Sequence, residues 1–528
     1  MASHFKWYPG SEDVTIPFNA RYSFPSQSNK TIKMTPRIPP KTGSVYQPGG
    51  QMRIELPAQG YMHPGNSTLE FDVTLTGWGT SGGEITRFQN NIQSLFNRVR
   101  ILYGSTPLED IINYNVIVRS LTEWTSTNQL VVDQQSIADG VGGVVWGTDG
   151  VGNVGMVNVR QKYIQGIDNS NITTGVAVVG GKGFGKVPNG DVVRRYQVHL
   201  ATGLFTQEKL IPLKFMASQF VIEITFESAA SCIISQKGAS TAGVEPTYSV
   251  SNVNFLPEIL EFDASYDAVF LQGLRQGGVP ILFASWHTFM FGTGSAVNLM
   301  VQERSRSVKA LFTVMRRKPE VVLTDSHATF FATSGYMVNY QYRIGGRYYP
   351  PSPVQLSNTS STPGTNGGAE AYCELEKALN IVGDYRLSTG CNVTRWALMP
   401  SSANMTNPHI PGGGGGFNTA NSEMDYWPTL GGYNAAGQPG LALTTVAGTV
   451  AVTNSYSGTI ASSCYASAIS LETSNGMEIS GLNSEEQSDI AFIGTWSAAQ
   501  NTDFQMEVYS YYDSMIILRE NNVLELIQ

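Results

Sequence analysis

Two glycine-rich segments of the sequence match motifs that bind phosphate groups. Residues 150–155, GVGNVG, fit the GxGxxG pattern of dinucleotide sites, and residues 180–186, GGKGFGK, fit the GxxxxGK pattern of phosphate loops. Both kinds of site need a helix directly after the motif, because the amide groups at its start face the phosphates. Strand-like residues follow the first motif, and turn-forming residues without the magnesium-binding hydroxyl follow the second. We therefore interpret both segments as exposed loops.

The histidines and cysteines show no spacing that would hold a metal ion. His287 stands beside Trp286 in an apolar segment, where a hydrogen-bonded core or interface histidine is the simplest interpretation. The four cysteines form no CxxC pair, and no GxSxG nucleophile motif occurs. A catalytic group assembled from distant residues is not visible in a sequence and stays open. We expect no metal, no cofactor and no enzymatic activity.

A basic run lies between Arg304 and Lys318. Its charged residues alternate with apolar ones, which is typical of a strand with one solvated face. A salt-bridged contact between subunits is the alternative. The formal net charge of −8 argues against nucleic-acid binding by the surface as a whole.

The first 47 residues are polar, contain scattered prolines and follow no period, which predicts an extended arm. Basic residues outnumber acidic ones in its first 41 positions, and the candidate assembly residues are Lys30, Lys33, Arg37 and Lys41. Such a segment has too little apolar surface to fold alone. We expect the arm to lie inside an assembly, against acidic neighbours, an internal membrane or a packaged genome. The alternative is an arm that only covers the first strand of its own domain.

The composition predicts an all-β protein whose surface is largely covered by partners. Charged residues make up only 14% of the 528 positions, against a usual quarter, and glycine occurs 55 times. The sequence shows neither an apolar leader nor a run of about 18 apolar residues, so we expect no signal peptide and no membrane span. We expect synthesis in the cytoplasm or nucleus of a host cell.

The segment Ser94–Trp124 organises the first half. Apolar and charged residues alternate up to Gly104, which predicts a strand and a tight turn. Thr106, Pro107 and Glu109 then fit the start of a helix, with threonine as the cap, proline at the first helical position and the acid closing a capping box. Beyond them, helical spacing connects the apolar residues Tyr114, Ile117, Val118, Leu121 and Trp124.

A second copy of this unit follows in residues 336–354, where Gly345 and Gly346 form the turn, and a short helix is expected over residues 369–379. The segment 220–224 also resembles 504–508. About eight strands in each half favour a sandwich, and the jelly roll is the commonest eight-stranded solution.

These patterns divide the chain into four parts. The arm covers residues 1–47, the first jelly roll 48–264, a linker helix 265–278 and the second jelly roll 279–528. The predicted fold class is therefore all-β, with two tandem eight-stranded jelly rolls, a short helix in each and long loops. The glycine-rich stretches 125–205 and 397–465 are predicted to be those loops.

Three segments carry a resemblance to a known family: QMRIELPAQG, FNRVRILYGSTPLEDIINYN and YQYRIGGRYYPPSPV. The chain resembles the double jelly-roll major capsid proteins of Polinton-like viruses, virophages and adintoviruses. The resemblance implies homotrimeric, pseudo-hexameric capsomers in the icosahedral virion of a DNA virus, with penton and minor capsid proteins as further partners. Two alternatives are a two-domain carbohydrate-binding or adhesion sandwich, which would be expected to carry a secretion signal, and a β-sandwich hydrolase.

Overall fold

The computed structural model describes two β-rich halves and the helix that joins them. The described residues are 31–76, 85–88, 92–125, 144–148, 154–158, 178–179, 191–236, 247–294, 296–317, 332–333, 337–356, 368–381, 391, 442–446, 449–453, 465–472, 479–485, 489–496, 504–519 and 524–528. The motif at 180–186 lies outside them. A strand, Val154–Asn158, begins inside the motif at 150–155, where a dinucleotide site would need a helix.

The first half contains fourteen described strands. They are β1 Ile32–Met34, β2 Val45–Tyr46, β3 Gln51–Glu55, β4 Tyr61–Thr76, β5 Ile85–Phe88, β6 Phe96–Tyr103, β7 Thr106–Ile112, β8 Val144–Thr148, β9 Val154–Asn158, β10 Val178–Val179, β11 Asp191–Val198, β12 Phe220–Phe226, β13 Ile233–Gln236 and β14 Thr247–Glu261.

Two antiparallel sheets form the first sandwich. One has the order β1-β14-β4-β11, with β2 also paired to β14, and the other has the order β3-β12-β6-β7. We number the eight sandwich strands along the chain, with β1 and β2 together as the first, followed by β3, β4, β6, β7, β11, β12 and β14. The sheets then have the orders 1-8-3-6 and 2-7-4-5, which are the two sheets of a jelly roll.

The second half repeats this order. Its strands are β15 Val279–Gly292, β16 Ala296–Val301, β17 Val308–Arg317, β18 Ala332–Thr333, β19 Met337–Ile344, β20 Arg347–Gln355, β21 Ala442–Val446, β22 Thr449–Thr453, β23 Ser467–Ser470, β24 Ile490–Trp496, β25 Phe504–Leu518 and β26 Leu524–Ile527. Strands β15-β25-β17-β23 form one sheet, and β16-β24-β19-β20 form the other. The same numbering again gives 1-8-3-6 and 2-7-4-5, so the prediction of two tandem jelly rolls is confirmed.

The described helices are short and lie between strands. They are α1 Tyr114–Thr125, α2 Gly203–Thr206, α3 Ala229–Cys232, α4 Ala264–Arg275 and α5 Ala369–Ala378, with 3-10 turns at Ile92–Leu95 and Leu213–Phe215. Helices α1 and α5 each follow the fifth strand of their sandwich, whereas the repeated unit predicted a helix without this strand after the glycine turn. Helix α4 occupies the place of the predicted linker and begins after Asp263, whose side chain accepts a hydrogen bond from the Ala264 amide at 2.7 Å. None of the described helices has the length and apolarity needed to cross a membrane.

The inward faces of the sheets form the core of each sandwich. In β4, the alternating residues Leu69, Phe71, Val73 and Leu75 are at most 1% exposed. The residues between them, which point to the other face of β4, are polar. This is the pattern of a strand with one side on the core. A register shift by one residue would turn this apolar row to the other face, so the pattern also fixes the pairing.

The predicted arm needs a correction, because its described part is the first strand of the sandwich. Ile32 pairs with Glu261, Ile38 forms a bridge with Phe255, and Tyr46 pairs with Val250. The prolines interrupt the pairing without ending it, since proline is tolerated in an edge strand. Residues 1–30 lie outside the described part of the chain.

The predicted helix start at Thr106 is wrong. Thr106 pairs with Tyr103 across the turn at Gly104, whose φ is +60°, and β7 continues to Ile112 before α1 begins at Tyr114. The capping pattern is local, whereas the pairing of β7 with β6 supplies hydrogen bonds along seven residues and decides the conformation. Pro107 is therefore an edge-strand residue, because β7 is the last strand of its sheet.

We expect the substitution Thr106→Ala to change the free energy of unfolding by less than about 0.5 kcal/mol, because Thr106 is exposed and is the first residue of β7. A cap would instead contribute about 1 kcal/mol. Urea unfolding of the purified variant distinguishes the two values. A loss of about 1 kcal/mol would contradict the placement of Thr106 in a strand.

The internal repeat also differs in detail from its prediction. Strands β6 and β19 are equivalent, as predicted. After each of them, the turn glycine, Gly104 or Gly345, donates its amide to the carbonyl of the residue just before the seventh strand, Gln219 or Asp489. However, residues 220–224 belong to the seventh strand of the first sandwich, and residues 504–508 to the eighth of the second. The alternation of apolar and polar residues is common to any strand with one buried face, so it does not tell one strand from another.

Candidate functional site

The two sandwiches contact each other through a buried surface that we call the inter-sandwich contact. The first half contributes β7, α1 and α2, and the second half contributes the sheet β15-β25-β17-β23. The inner face of that sheet covers the core of the second sandwich, and its outer face meets the first half. Both of its faces are therefore buried, which is unusual for an antiparallel sheet.

Glu109 is the centre of one polar group in this contact. Its side chain is 1% exposed and accepts hydrogen bonds from the amides of Gly203 and Leu204, at 2.7 and 3.2 Å, and from the Ser285 hydroxyl at 2.6 Å. Burial raises the pKa of Glu109 above its ordinary value, although these donors act in the opposite direction. The capping pattern thus predicted correctly that Glu109 binds helix amides, but the helix is α2 and not α1.

Gly203 allows the halves to approach each other at this point. A Cβ atom on Gly203 would lie 2.0 Å from the carbonyl oxygen of Ala284 in β15. Any other residue would therefore force the two backbones apart.

Glu507 is the centre of a second polar group, which is almost completely buried. The Arg316 guanidinium donates two hydrogen bonds to the Glu507 carboxylate, at 2.6 and 2.8 Å. Asn113, from the first half, donates a third at 2.9 Å, and the Tyr509 hydroxyl also donates to it. Arg316 is 1% exposed and Glu507 is 0% exposed. Their hydrogen bonds to each other and to Asn113 and Tyr509 therefore replace the water that both ions have lost.

Asn113 has a φ of +54°, which turns the chain from β7 into α1. Asparagine tolerates this left-handed conformation better than most residues. The same residue thus forms the corner and reaches the second sandwich. This role is not visible in the sequence, because Asn113 and Glu507 are 394 positions apart.

Aromatic rings fill the rest of the contact. Trp124 of α1 stacks on Phe312 of β17, with ring centroids 5.1 Å apart. Trp286 lies 5.6 Å from Phe312 and 4.6 Å from Tyr511. Such rings dominate the energetics of buried surfaces, so α1 holds the second half chiefly through Trp124.

A cavity of about 370 Å³ remains between the halves. Its lining includes Leu121 near the end of α1, Leu379 just after α5, and the aromatic residues Trp286, Phe312 and Tyr511. The cavity thus lies beside the C-terminal ends of both α1 and α5.

Helix α4 is fixed to the first sandwich by an aromatic cluster around Tyr61. The Tyr61 hydroxyl donates to Asp267 at 2.9 Å, and its ring is 5.1–5.6 Å from those of Phe262, Tyr266 and Phe270. Lys214 forms an ion pair with Asp267 and lies 4.9 Å from the Tyr61 ring centroid. Burial and the bond to Asp267 raise the pKa of Tyr61. The connection between the halves is thus packed in place.

The outer face of the sheet β1-β14-β4-β11 carries a charged row. The Asp72 carboxylate accepts from Arg195 at 2.7 and 3.0 Å and from Asn252 at 2.8 Å, and Arg195 also donates to Glu70 at 3.1 Å. The hydrogen bonds from Arg195 lower the pKa of Asp72. This face contrasts with the aromatic outer face of the equivalent sheet in the second half.

We expect the stabilising effect of Asp72 to disappear in acid. A carboxyl group whose pKa is lowered by folding contributes stability above its unfolded value, about 3.9, and loses it as pH falls through the folded value. The difference in urea midpoint between the wild type and Asp72→Asn should therefore shrink between about pH 6 and pH 2. A difference that stays constant over this range would contradict the role of the charge.

The candidate arm residues lie partly on this face. Lys33 pairs with Glu258 at 2.6 Å, and Arg37 approaches Glu70 at 3.7 Å. The Lys41 amide donates to the Arg53 carbonyl, while Lys30 lies outside the described residues. For residues 31–47, the alternative of an arm that covers its own domain therefore fits better than an assembly arm.

The basic run shows two different environments. Arg304 and Arg306 are exposed, but they lie in the loop between β16 and β17 and not on a strand face. Arg316 lies in β17 and is buried against Glu507. The prediction was wrong for Arg316 because β17 is covered on both faces. The side chain of Arg317 and the whole of Lys318 lie outside the described structure.

His287 agrees with its prediction as a satisfied histidine. Its Nδ1 lies 3.1 Å from a Glu303 carboxylate oxygen, and its ring stacks on Tyr512. Burial raises the pKa of Glu303, but hydrogen bonds from His287 and Ser305 outweigh it, so the net shift is downward. Across the described part of the chain, no group of three or more histidine, cysteine or acidic residues could hold a metal ion.

No protein-family model and no curated protein matches the chain. Solved structures do show similarity. PBCV-1 VP54, fitted into a cryo-EM reconstruction of the virophage Sputnik, has 10% identity and a TM-score of 0.46, with 96% of this chain and 99% of that chain covered. The mavirus major capsid protein has 9% identity and a TM-score of 0.45, with 100% and 94% covered.

The Faustovirus major capsid protein is also similar, with 8% identity, a TM-score of 0.44, and 96% and 93% of the two chains covered. All three are double jelly-roll major capsid proteins, the class that the sequence resembles. The fold of the present chain rests on its own strand order, described above.

Proposed function

We propose that this chain is a major capsid protein whose homotrimers form the capsomers of an icosahedral shell. The observation that carries the proposal is the repeated order 1-8-3-6 and 2-7-4-5 in two sandwiches joined through a buried contact. Three copies then supply six similar sandwiches. Head-to-tail contacts between unlike surfaces close such a set into a ring, and the ring has a pseudo-hexagonal outline suited to tiling.

The buried contact between the halves supports this proposal. A ring closes only if every contact has the same geometry, so a flexible connection would give open or irregular assemblies. Here the Glu109 and Glu507 groups and the Trp124–Phe312 stack hold the sandwiches together, and the Tyr61 cluster holds α4. The described parts of the two sandwiches are thus joined by polar and aromatic contacts on several elements.

The glycine-rich stretches predicted as long loops, 125–205 and 397–465, fit the same function apart from strand β11 and helix α2. Loops at one end of a sandwich can vary without disturbing its core. We propose that they form the outer crown of the capsomer. Residues 1–30, with Lys30, would reach the inner side, where penton and minor capsid proteins, a membrane or the genome are the candidate partners. The protein would be made in the host cytoplasm or nucleus and act in the virion.

Light scattering on the purified full chain tests the proposal. A capsomer should have three times the monomer mass of 57.3 kDa, independent of concentration in the micromolar range. A stable monomer would contradict the trimer and favour a two-domain binding or adhesion protein. A carbohydrate-binding protein should also be retained on a carbohydrate affinity column, whereas a capsid protein is expected to pass through.

A further inference from the structure

Helix α4 carries an uncovered apolar surface. One of its sides packs on the first sandwich through Phe270 and Leu274. Elsewhere on the helix, Tyr266 is 43%, Val269 67% and Leu271 40% exposed. Three of the ten large apolar residues that are exposed in the described part of the chain therefore lie on this one helix of 12 residues. Apolar residues that are exposed as a group, rather than singly, indicate a surface that another segment or molecule covers.

The chain enters the described structure beside the start of this helix. Ile32, the first residue of β1, pairs with Glu261, which stands two positions before Asp263, the cap of α4. Ile32 is itself 63% exposed. A further uncovered apolar side chain thus lies at the point where residues 1–30 join the sandwich.

Residues 1–30 are rich in aromatic side chains. Six of these 30 positions are aromatic, which is 20% against 10% for the whole chain. They form two groups, the first with Phe5, Trp7 and Tyr8 and the second with Phe18, Tyr22 and Phe24. A segment of this length has too little apolar surface for a core of its own, but such a segment is ordered when it packs on an existing apolar surface.

The second aromatic group is within easy reach of α4. The helix has 12 residues and is about 18 Å long. Phe24 and Phe18 precede Ile32 by 8 and 14 positions, which correspond to about 26 and 46 Å of extended chain. The first group is separated from Ile32 by a longer stretch, and the entropy cost of closing a loop rises with its length. We therefore assign the second group to the helix.

The glycine-rich stretch before β11 joins the first sandwich at its opposite end. Tyr61, at one end of β4, pairs with Leu260 near α4, whereas Thr76, at the other end, pairs with Asp191 and Thr247. The 16 residues of β4 separate these ends by about 50 Å. Residues 1–30 are thus attached much closer to the uncovered side of α4 than this stretch is.

We propose that Phe18, Tyr22 and Phe24 pack on the exposed side of α4 in the same chain, over Tyr266 and Val269. These two helix residues are three positions apart and so share one side of the helix. Attachment beside the helix gives the segment a high effective concentration there, which a segment of another molecule does not have. The segment then acts as a strap across the helix that connects the two sandwiches. The inference goes beyond the proposed function and needs only one chain.

The labelling rate of a thiol on α4 tests this inference. The variant Val269→Cys places the thiol at the most exposed position, where the native side chain has no part in the core. N-ethylmaleimide should label it at least tenfold more slowly in the full chain than in the same chain with Phe18→Ser, Tyr22→Ser and Phe24→Ser. Mass spectrometry of the peptide that contains position 269 measures the rate. Cys373, which is exposed on α5, is the internal reference and should label equally in both proteins.

A matched control replaces the other aromatic group of the same segment. Phe5→Ser, Trp7→Ser and Tyr8→Ser together remove as many rings, but should change the rate at position 269 by less than twofold. Equal effects of the two triple variants would overturn the assignment to Phe18, Tyr22 and Phe24. Rapid labelling of position 269 in the full chain with all its aromatic residues would overturn the docking altogether.

Mixed assemblies test whether the strap belongs to the same chain. The reporter that lacks the second aromatic group is co-expressed with tagged unmodified chain, and complexes that contain both are purified. Position 269 should label rapidly in them, because its own strap is missing. Protection would show that a neighbouring copy covers the helix, and would overturn the same-chain contact. If light scattering shows only monomers, the proposed function fails, whereas slow labelling of position 269 in those monomers would still support the strap.

Discussion

Replacing Arg316 by methionine should lower the free energy of unfolding by about 3–5 kcal/mol, because it leaves the Glu507 carboxylate buried without a cation. The Arg316 side chain is 2% exposed and that of Glu507 is 0% exposed, so water cannot take the place of the guanidinium. Asn113 and Tyr509 would still donate to the carboxylate, but neutral donors do not balance its charge. Urea unfolding followed by tryptophan fluorescence measures the loss.

Arg306→Met is the matched control. Arg306 lies in the same basic run and pairs with Glu485 at 3.1 Å, but the two side chains are 58% and 53% exposed. Exposed pairs contribute about 0–1 kcal/mol, so this variant should remain close to the wild type. Equal effects of the two substitutions would show that Arg316 is not buried between the sandwiches.

Trp124→Ala should cost about 3–5 kcal/mol, which is the usual loss when a buried tryptophan is truncated. Trp124 is 2% exposed and stacks on Phe312, so its removal opens the space between the halves and joins it to the existing cavity. Trp124→Phe keeps an aromatic ring and should lose much less. Differential scanning calorimetry should show a lower midpoint for the alanine variant.

The same calorimetry also measures whether the two sandwiches unfold together. In the wild type, we expect the two sandwiches to unfold in one transition, because the contact between them is buried. Trp124→Ala should separate this transition into two. A single transition at an unchanged midpoint would contradict the importance of the Trp124–Phe312 stack.

The sequence predicted the sandwiches because their signal is local. The alternation in β4 and β6 and the glycine turns at Gly104 and Gly345 each need only a few neighbouring residues to be visible. The jelly-roll order followed from the strand count and from the repeat. The helical spacing from Tyr114 to Trp124 also gave α1 correctly, because it extends over three turns.

The inter-sandwich contact was not predicted, since its partners are distant in the sequence. Glu109 matched a capping box, but a strand pair that spans β6 and β7 outweighed a single side-chain bond. Arg316 and Glu507 lay on strands that looked one-sided, although aromatic residues at Tyr509 and Tyr511 occupy the face of Glu507. Polar and aromatic residues together on one strand face are the signal that would have indicated a second buried side.

The different chemistry of the two outer faces has a consequence for the order of events in assembly. An aromatic face that is covered within the chain closes once, during folding, and does not reopen at ordinary temperatures. A charged face such as the row around Arg195 stays in exchange with ions and water of the solvent. If the proposed capsomers associate through this face, salt that screens the row should speed their dissociation and so the correction of errors.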